Sequence, residues 1–179
     1  MINLRRLRAV WHPDEYHGWG RKRRYFEGWY YKIVSADEQH AMAFIPGIAM
    51  RENWEQQAFV QGMDGKAERA EYHRFSAADF RPADRKFEVL VGNNLFSGDK
   101  MQVDLPGISG EIRFKNTKPW PKMFGAPGIM GWYSFVPFTE CNHGVVSLAH
   151  DLEGMLAIKD RSTGLTRTAD FTGGTASIE

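Results

Sequence analysis

Tyr25-Phe26-Glu27-Gly28-Trp29-Tyr30-Tyr31-Lys32-Ile33-Val34 decides the fold. Five of its ten residues are aromatic, and a strand accommodates such side chains better than a helix does. Its residues fall into two alternating sets. Tyr25, Glu27, Trp29, Tyr31 and Ile33 share one face, and Phe26, Gly28, Tyr30, Lys32 and Val34 share the other.

The same two-residue period runs outward on both sides. Met42, Phe44 and Ile48 alternate with Ala41, Ala43 and Ile45. Phe59, Gln61 and Met63 lead into Asp64-Gly65, a hairpin signal, after which 71–75 returns as the partner strand. Further on, Phe87, Val89 and Val91 alternate with Glu88 and Leu90. Met101, Val103 and Leu105 follow the turn Ser97-Gly98-Asp99, and Ile112 and Phe114 alternate with charged neighbours. Residues 143–150 and 155–158 read as a further hairpin bent near Gly154. A short helical turn is expected only at 76–80. Many short strands between turn signals predict a mostly β, antiparallel fold, a lipocalin-like barrel or a sandwich. With 12 Phe, 6 Trp, 6 Tyr and 18 Gly, the chain has both the rings for a β core and the glycines for strong curvature. One interruption, 118–131, holds Pro119, Pro121 and Pro127 and is expected to be a loop.

The 179 residues suffice for one domain with a real core. A formal net charge of +1 gives no electrostatic case for nucleic acid. The cluster Arg21-Lys22-Arg23-Arg24 is local and reads as a solvated loop before a strand. Cys141 is the single cysteine, so no intrachain disulfide can form. No apolar run approaches the ~20 residues of a transmembrane helix, and 1–10 has no signal-peptide core. The expected location is cytoplasmic.

Several motifs occur in one order: Trp11-His12-Pro13 with Tyr16-His17-Gly18, then Phe26-Glu27-Gly28-Trp29-Tyr30, Ile45-Pro46-Gly47-Ile48 and Ala58-Phe59-Val60-Gln61. Next come Gly92-Asn93-Asn94-Leu95-Phe96-Ser97, Met130-Gly131-Trp132-Tyr133, Glu140-Cys141-Asn142-His143-Gly144 and Asp170-Phe171-Thr172-Gly173-Gly174. Together they resemble the bacterial branch of the tocopherol cyclase-like family, over nearly the whole chain. The resemblance implies an architecture of two lipocalin-like β halves, of which 1–179 supplies the N-terminal part. The family continues with a Lys-Asp-Trp-Gly segment and a second half, whereas here Thr175-Ala176-Ser177-Ile178-Glu179 follows. The expectations are an incomplete cyclase, an uncovered edge near 170–178, and self-association through it. The resemblance also implies a reaction without metal or organic cofactor: a phenol oxygen of a prenylated quinol adds across an alkene of its tail, closing a ring.

That chemistry needs an acid to protonate the alkene, aromatic faces to stabilise the cation, and a proton acceptor for the phenol. A carboxyl kept protonated by burial could serve as the acid. Glu27, on the aromatic face, is the first candidate; the alternative is a carboxylate that pairs with an arginine or satisfies backbone donors beside Gly28. Glu140 and His143 form a second constellation, either a proton shuttle or a structural turn. Cys141, His143 and His150 have a faint zinc-like spacing, but strand alternation puts His143 and His150 on opposite faces, and no metal site is expected. His12 and His17 flank Pro13 in a segment that either covers a barrel mouth or merely tethers the N-terminus. Trp29, Tyr31, Trp132 and Tyr133 are candidates for a prenyl pocket, and core packing explains them as well. The expected partner is a hydrophobic small molecule, taken up by a cyclase or hydratase or simply held by a carrier. Contact with a membrane surface during uptake would be compatible with either.

Overall fold

In the computed structural model the described residues are 12, 14–121, 123, 128–132, 144–160 and 163–179. The decisive stretch forms two strands, β1 (Tyr25–Gly28) and β2 (Tyr31–Val34), both antiparallel to one side of β3 (Ala41–Met50). The register does not change across the gap, since Gly28 lies opposite Gly47 and Tyr31 opposite Phe44. The break is chemical. The Trp29 amide donates to the Pro46 carbonyl at 3.1 Å, but Pro46 has no amide to return. The alternation predicted for 25–34 therefore survives intact. Trp29, Tyr31 and Ile33 are buried and Glu27 half-buried, while Phe26 and Lys32 are exposed.

The hairpin β4 (Gln56–Asp64) and β5 (Arg69–Ser76) follows, as Asp64-Gly65 predicted. The Asp64 carboxylate accepts the Lys66 and Ala67 amides at 3.0 Å each, which fixes the turn. A 3-10 helix, Ala77–Asp79, sits where a helical turn was expected and leads into β6 (Phe80–Pro82). Next come β7 (Glu88–Val91), β8 (Asn94–Ser97), β9 (Lys100–Leu105) and β10 (Ile108–Pro119), an antiparallel meander. β11 (Ser147–Lys159) pairs with β10 and, on its other edge, with β12 (Thr166–Asp170) and β13 (Thr175–Ile178).

Two expectations need correction. The span 147–158 is one long strand rather than part of a hairpin. Gly154, at φ 138°, bends it without ending it and lets it pass close to Glu111 and Ile112 of β10. Nor does β13 present an open edge. It is hydrogen-bonded to β11 on one side and to β2 on the other, and the Tyr30–Glu179 amide pair extends that ladder.

The strand order β5-β4-β3-β2-β13-β11-β10-β9-β8-β7-β6 describes a nearly closed antiparallel barrel. Its two ends, β5 and β6, are consecutive in the chain, so the 3-10 helix links them covalently where no ladder does. Among the described residues no helix is long and apolar enough to cross a membrane. Inside, Tyr31 packs against Phe87, Phe96 and Phe114 with ring centroids 5.4 to 6.0 Å apart, and Phe44, Met101, Ile112 and Leu156 are fully buried. Truncating one such ring to alanine costs about 3–5 kcal/mol, so this cluster contributes much of the barrel's stability.

Candidate functional site

β1 carries Tyr25 and Glu27 to one end of the barrel, pointing inward, and the preceding segment folds back across them. Tyr16 is buried with its ring edge-on to Trp19, Tyr25 and Phe80, at centroid distances of 5.2 to 6.4 Å. The Trp29 indole donates to the Asp14 carbonyl at 3.0 Å. Residues 14–18 therefore act as a plug in this end of the barrel. The glycine at 18 is required, because a Cβ there would lie 2.2 Å from the Tyr16 hydroxyl and 2.5 Å from the Tyr25 ring.

Glu27 holds the plug. The His17 amide donates to both carboxyl oxygens, at 3.2 Å to Oε1 and 3.0 Å to Oε2, and the Gly18 amide also contributes. The Tyr25 hydroxyl donates to Oε2 at 2.5 Å. The His17 ring completes the set. Its Nε2 lies 2.9 Å from the His12 carbonyl, which can only accept, so Nε2 bears a hydrogen. Its Nδ1 stands 3.3 Å from Glu27 Oε1.

Burial pushes the Glu27 carboxyl above its ordinary range, against the opposing pull of the Tyr25 hydrogen bond, the His17 charge and the His17 and Gly18 amides. Burial and then the Glu27 charge push the Tyr16 phenol up to about 12. Tyr25 is raised for the same two reasons, and burial also raises Tyr31. The phenols therefore stay protonated near neutrality and serve as donors.

The residues singled out in the sequence divide as follows. Glu27, Trp29 and Tyr31 share the inner face of β1 and β2, and Trp29 and Tyr31 both meet Phe87, at 6.0 Å. Trp132 is 63% exposed. Tyr133, Glu140, Cys141 and His143 lie outside the described residues. The basic cluster 21–24 leads directly from the plug into β1.

Three polar features were not legible beforehand. Tyr16 and His17 lie ten or so residues from Glu27, and only the fold-back brings them to it. On β5, Arg69, Glu71 and His73 share one half-buried face, with the Glu71 carboxylate 3.3 Å from Arg69 and 3.5 Å from the His73 ring. The alternation of β5 would have shown their common face. On β11, His150 is buried between Ser147, hydrogen-bonded to Nε2, and Thr117, 3.1 Å from Nδ1. A register shift between Ser147 and His150 turns both inward despite their odd spacing. Burial holds His150 below the ordinary histidine range.

Hollows among the described residues open on the outer wall, one between Lys32, Leu148 and Ser177 and one over Asn93, Gln102 and Glu111. Compared with known protein families and with curated proteins, the chain matches none.

Proposed function

We propose that this protein is a tocopherol cyclase-like catalyst that cyclises a prenylated quinol, or hydrates a related isoprenoid, by protonating an alkene without a cofactor. The observation that carries the reading is Glu27. It is an inward carboxyl whose neutral form is favoured by burial, in line with Tyr25, Trp29 and Tyr31 on the barrel wall. Glu27 gives its proton to one alkene carbon, and the π pair forms the new C–H bond. The tertiary cation left on the other carbon faces aromatic rings. The phenol oxygen, or a water in the hydration, closes the C–O bond, and its proton returns to Glu27. Acid and base are then the same group, and no redox partner is needed. The resemblance of the Phe-Glu-Gly-Trp-Tyr segment and its companion motifs supports the same reading.

A second reading has its own support. Glu27 is already engaged by the His17 and Gly18 amides and by Tyr25, which suits a carrier whose plug closes over a hydrophobic ligand. One experiment separates the two. The protein is incubated with a prenylated hydroquinone in D2O, and the product is read by mass spectrometry. Cyclisation gives an isomer bearing one carbon-bound deuterium, and Glu27→Gln abolishes it while quenching of tryptophan fluorescence by the ligand persists. Quenching without product in the wild-type protein overturns the catalytic reading and leaves the carrier.

A further inference from the structure

The plugged end of the barrel carries a surface that the interior chemistry does not use. Trp19, Phe26 and Trp54 are 42%, 67% and 60% exposed. They lie at the start of β1 and in the loop between β3 and β4, which the chain ties together. Gln56 donates to the Lys22 carbonyl at 2.6 Å, and Arg24 pairs with Glu52. Arg23 sits over the Trp54 ring at 5.1 Å, and Arg21 over the Tyr25 ring at 5.8 Å. Among the described residues Arg21, Lys22 and Arg23 make no ion pair, so their charge is offered to solvent.

Trp54 is the most informative of these. Its φ of 70° is a left-handed conformation that a bulky side chain rarely adopts. Packing does not account for it, since the ring is mostly in water. The loop holds it there through the Arg51 amide, bonded to the Glu55 carbonyl at 2.8 Å, and the Glu55 amide, bonded to the Asn53 side chain at 3.2 Å. A strained, exposed indole paired with a cation has the form of a recognition element.

We propose that this rim, made by Trp19, Arg21, Lys22, Arg23, Phe26 and Trp54, docks onto an anionic lipid bilayer. Indole and phenyl rings enter the headgroup region while arginine and lysine meet lipid phosphates and carboxylates. Nucleic acid fits less well. The whole chain is only +1, Glu52 and Glu55 stand among the bases, and the exposed rings stand on separate loops and strands rather than along one track. The inference rests on the surface alone and holds whether the barrel performs chemistry or only carries a ligand. It would bring the plugged end, and Glu27 behind it, against the phase in which a hydrophobic ligand resides.

The test is vesicle flotation with the full chain, using phosphatidylcholine vesicles with and without phosphatidylserine. Binding to the anionic vesicles is expected to be about tenfold tighter or more, and to weaken with added salt. Replacing both Arg21 and Arg23 by alanine should weaken it by about fivefold per residue. Trp54→Ala should weaken it comparably and Trp54→Phe much less, which guards against a folding defect. Met155→Ala, an exposed apolar change on β11 outside the rim, should leave it unchanged. Equal binding to neutral and anionic vesicles overturns the proposal, as does no binding to either. So does anionic binding that Trp54→Ala leaves intact, or tighter binding to a single-stranded oligonucleotide than to anionic vesicles.

Discussion

The Tyr25 hydroxyl stands 2.5 Å from Glu27 Oε2, two residues along the same strand and on the same inward face. Together with the His17 amide and ring, it gives one carboxyl four contacts, all from residues within ten positions of it. The pleat of β1 makes the first contact and the fold-back of the plug makes the others. Glu27 is therefore at once a group whose neutral form is favoured and the point to which residues 14–18 are fastened.

That double role fixes a pH dependence. The folded-state affinity of Glu27 for its proton is raised, so folding favours the protonated form. Its contribution to stability is complete below the ordinary carboxylate range and is lost as pH rises through the folded-state value. In Glu27→Gln the side chain stays neutral and this loss disappears. Thermal unfolding from pH 4 to pH 7 should show the variant gaining on the wild-type protein as pH increases. A difference in midpoint that does not change with pH would mean that Glu27 ionises as freely in the fold as in water.

His150 gives the opposite slope. Burial lowers its proton affinity in the fold, so the unfolded chain binds the proton first. Stability should fall as pH drops below about 6.5, the ordinary histidine value. His150→Gln should cost about 1–3 kcal/mol at pH 7.5, through its disturbed bonds to Ser147 and Thr117, and should flatten the acid limb. Urea denaturation at pH 7.5 and 5.5 measures both effects. An unchanged difference between the two pH values would assign the acid limb to other groups.

Gly154 is expected to be irreplaceable for a reason separate from its backbone angle. A Cβ there would meet the Glu111 carbonyl oxygen at 2.2 Å, and that oxygen belongs to the β10–β11 ladder. Gly154→Ala should destabilise the barrel by roughly 3 kcal/mol or prevent folding. Gly164→Ala, at φ 72° with open space around it, should cost about 1–2 kcal/mol, the backbone term alone. Equal losses at the two positions, measured by chemical denaturation, would show that β11 shifts to absorb the methyl group.

The sequence by itself determined the pleat. Alternation over 25–34 placed Glu27, Trp29 and Tyr31 on one face. Asp64-Gly65 made the β4–β5 hairpin, and a 3-10 helix fell within 76–80 as read, although Gly131 and Trp132 are 3-10 helical as well. These features depend on side-chain direction and turn chemistry within a few residues, which a linear reading can follow. Only the tertiary structure decided where strands find partners. It set β13 between β2 and β11, although that part of the chain was expected to leave an edge open. It carried β11 past Gly154 as one strand, and shifted the register so that Ser147 and His150 both face inward. It also folded Tyr16 and His17 back onto Glu27, and brought Trp54 beside Arg23. Each of these depends on barrel closure, in which curvature, bulges and a proline's missing amide select among pairings that the same local pattern allows.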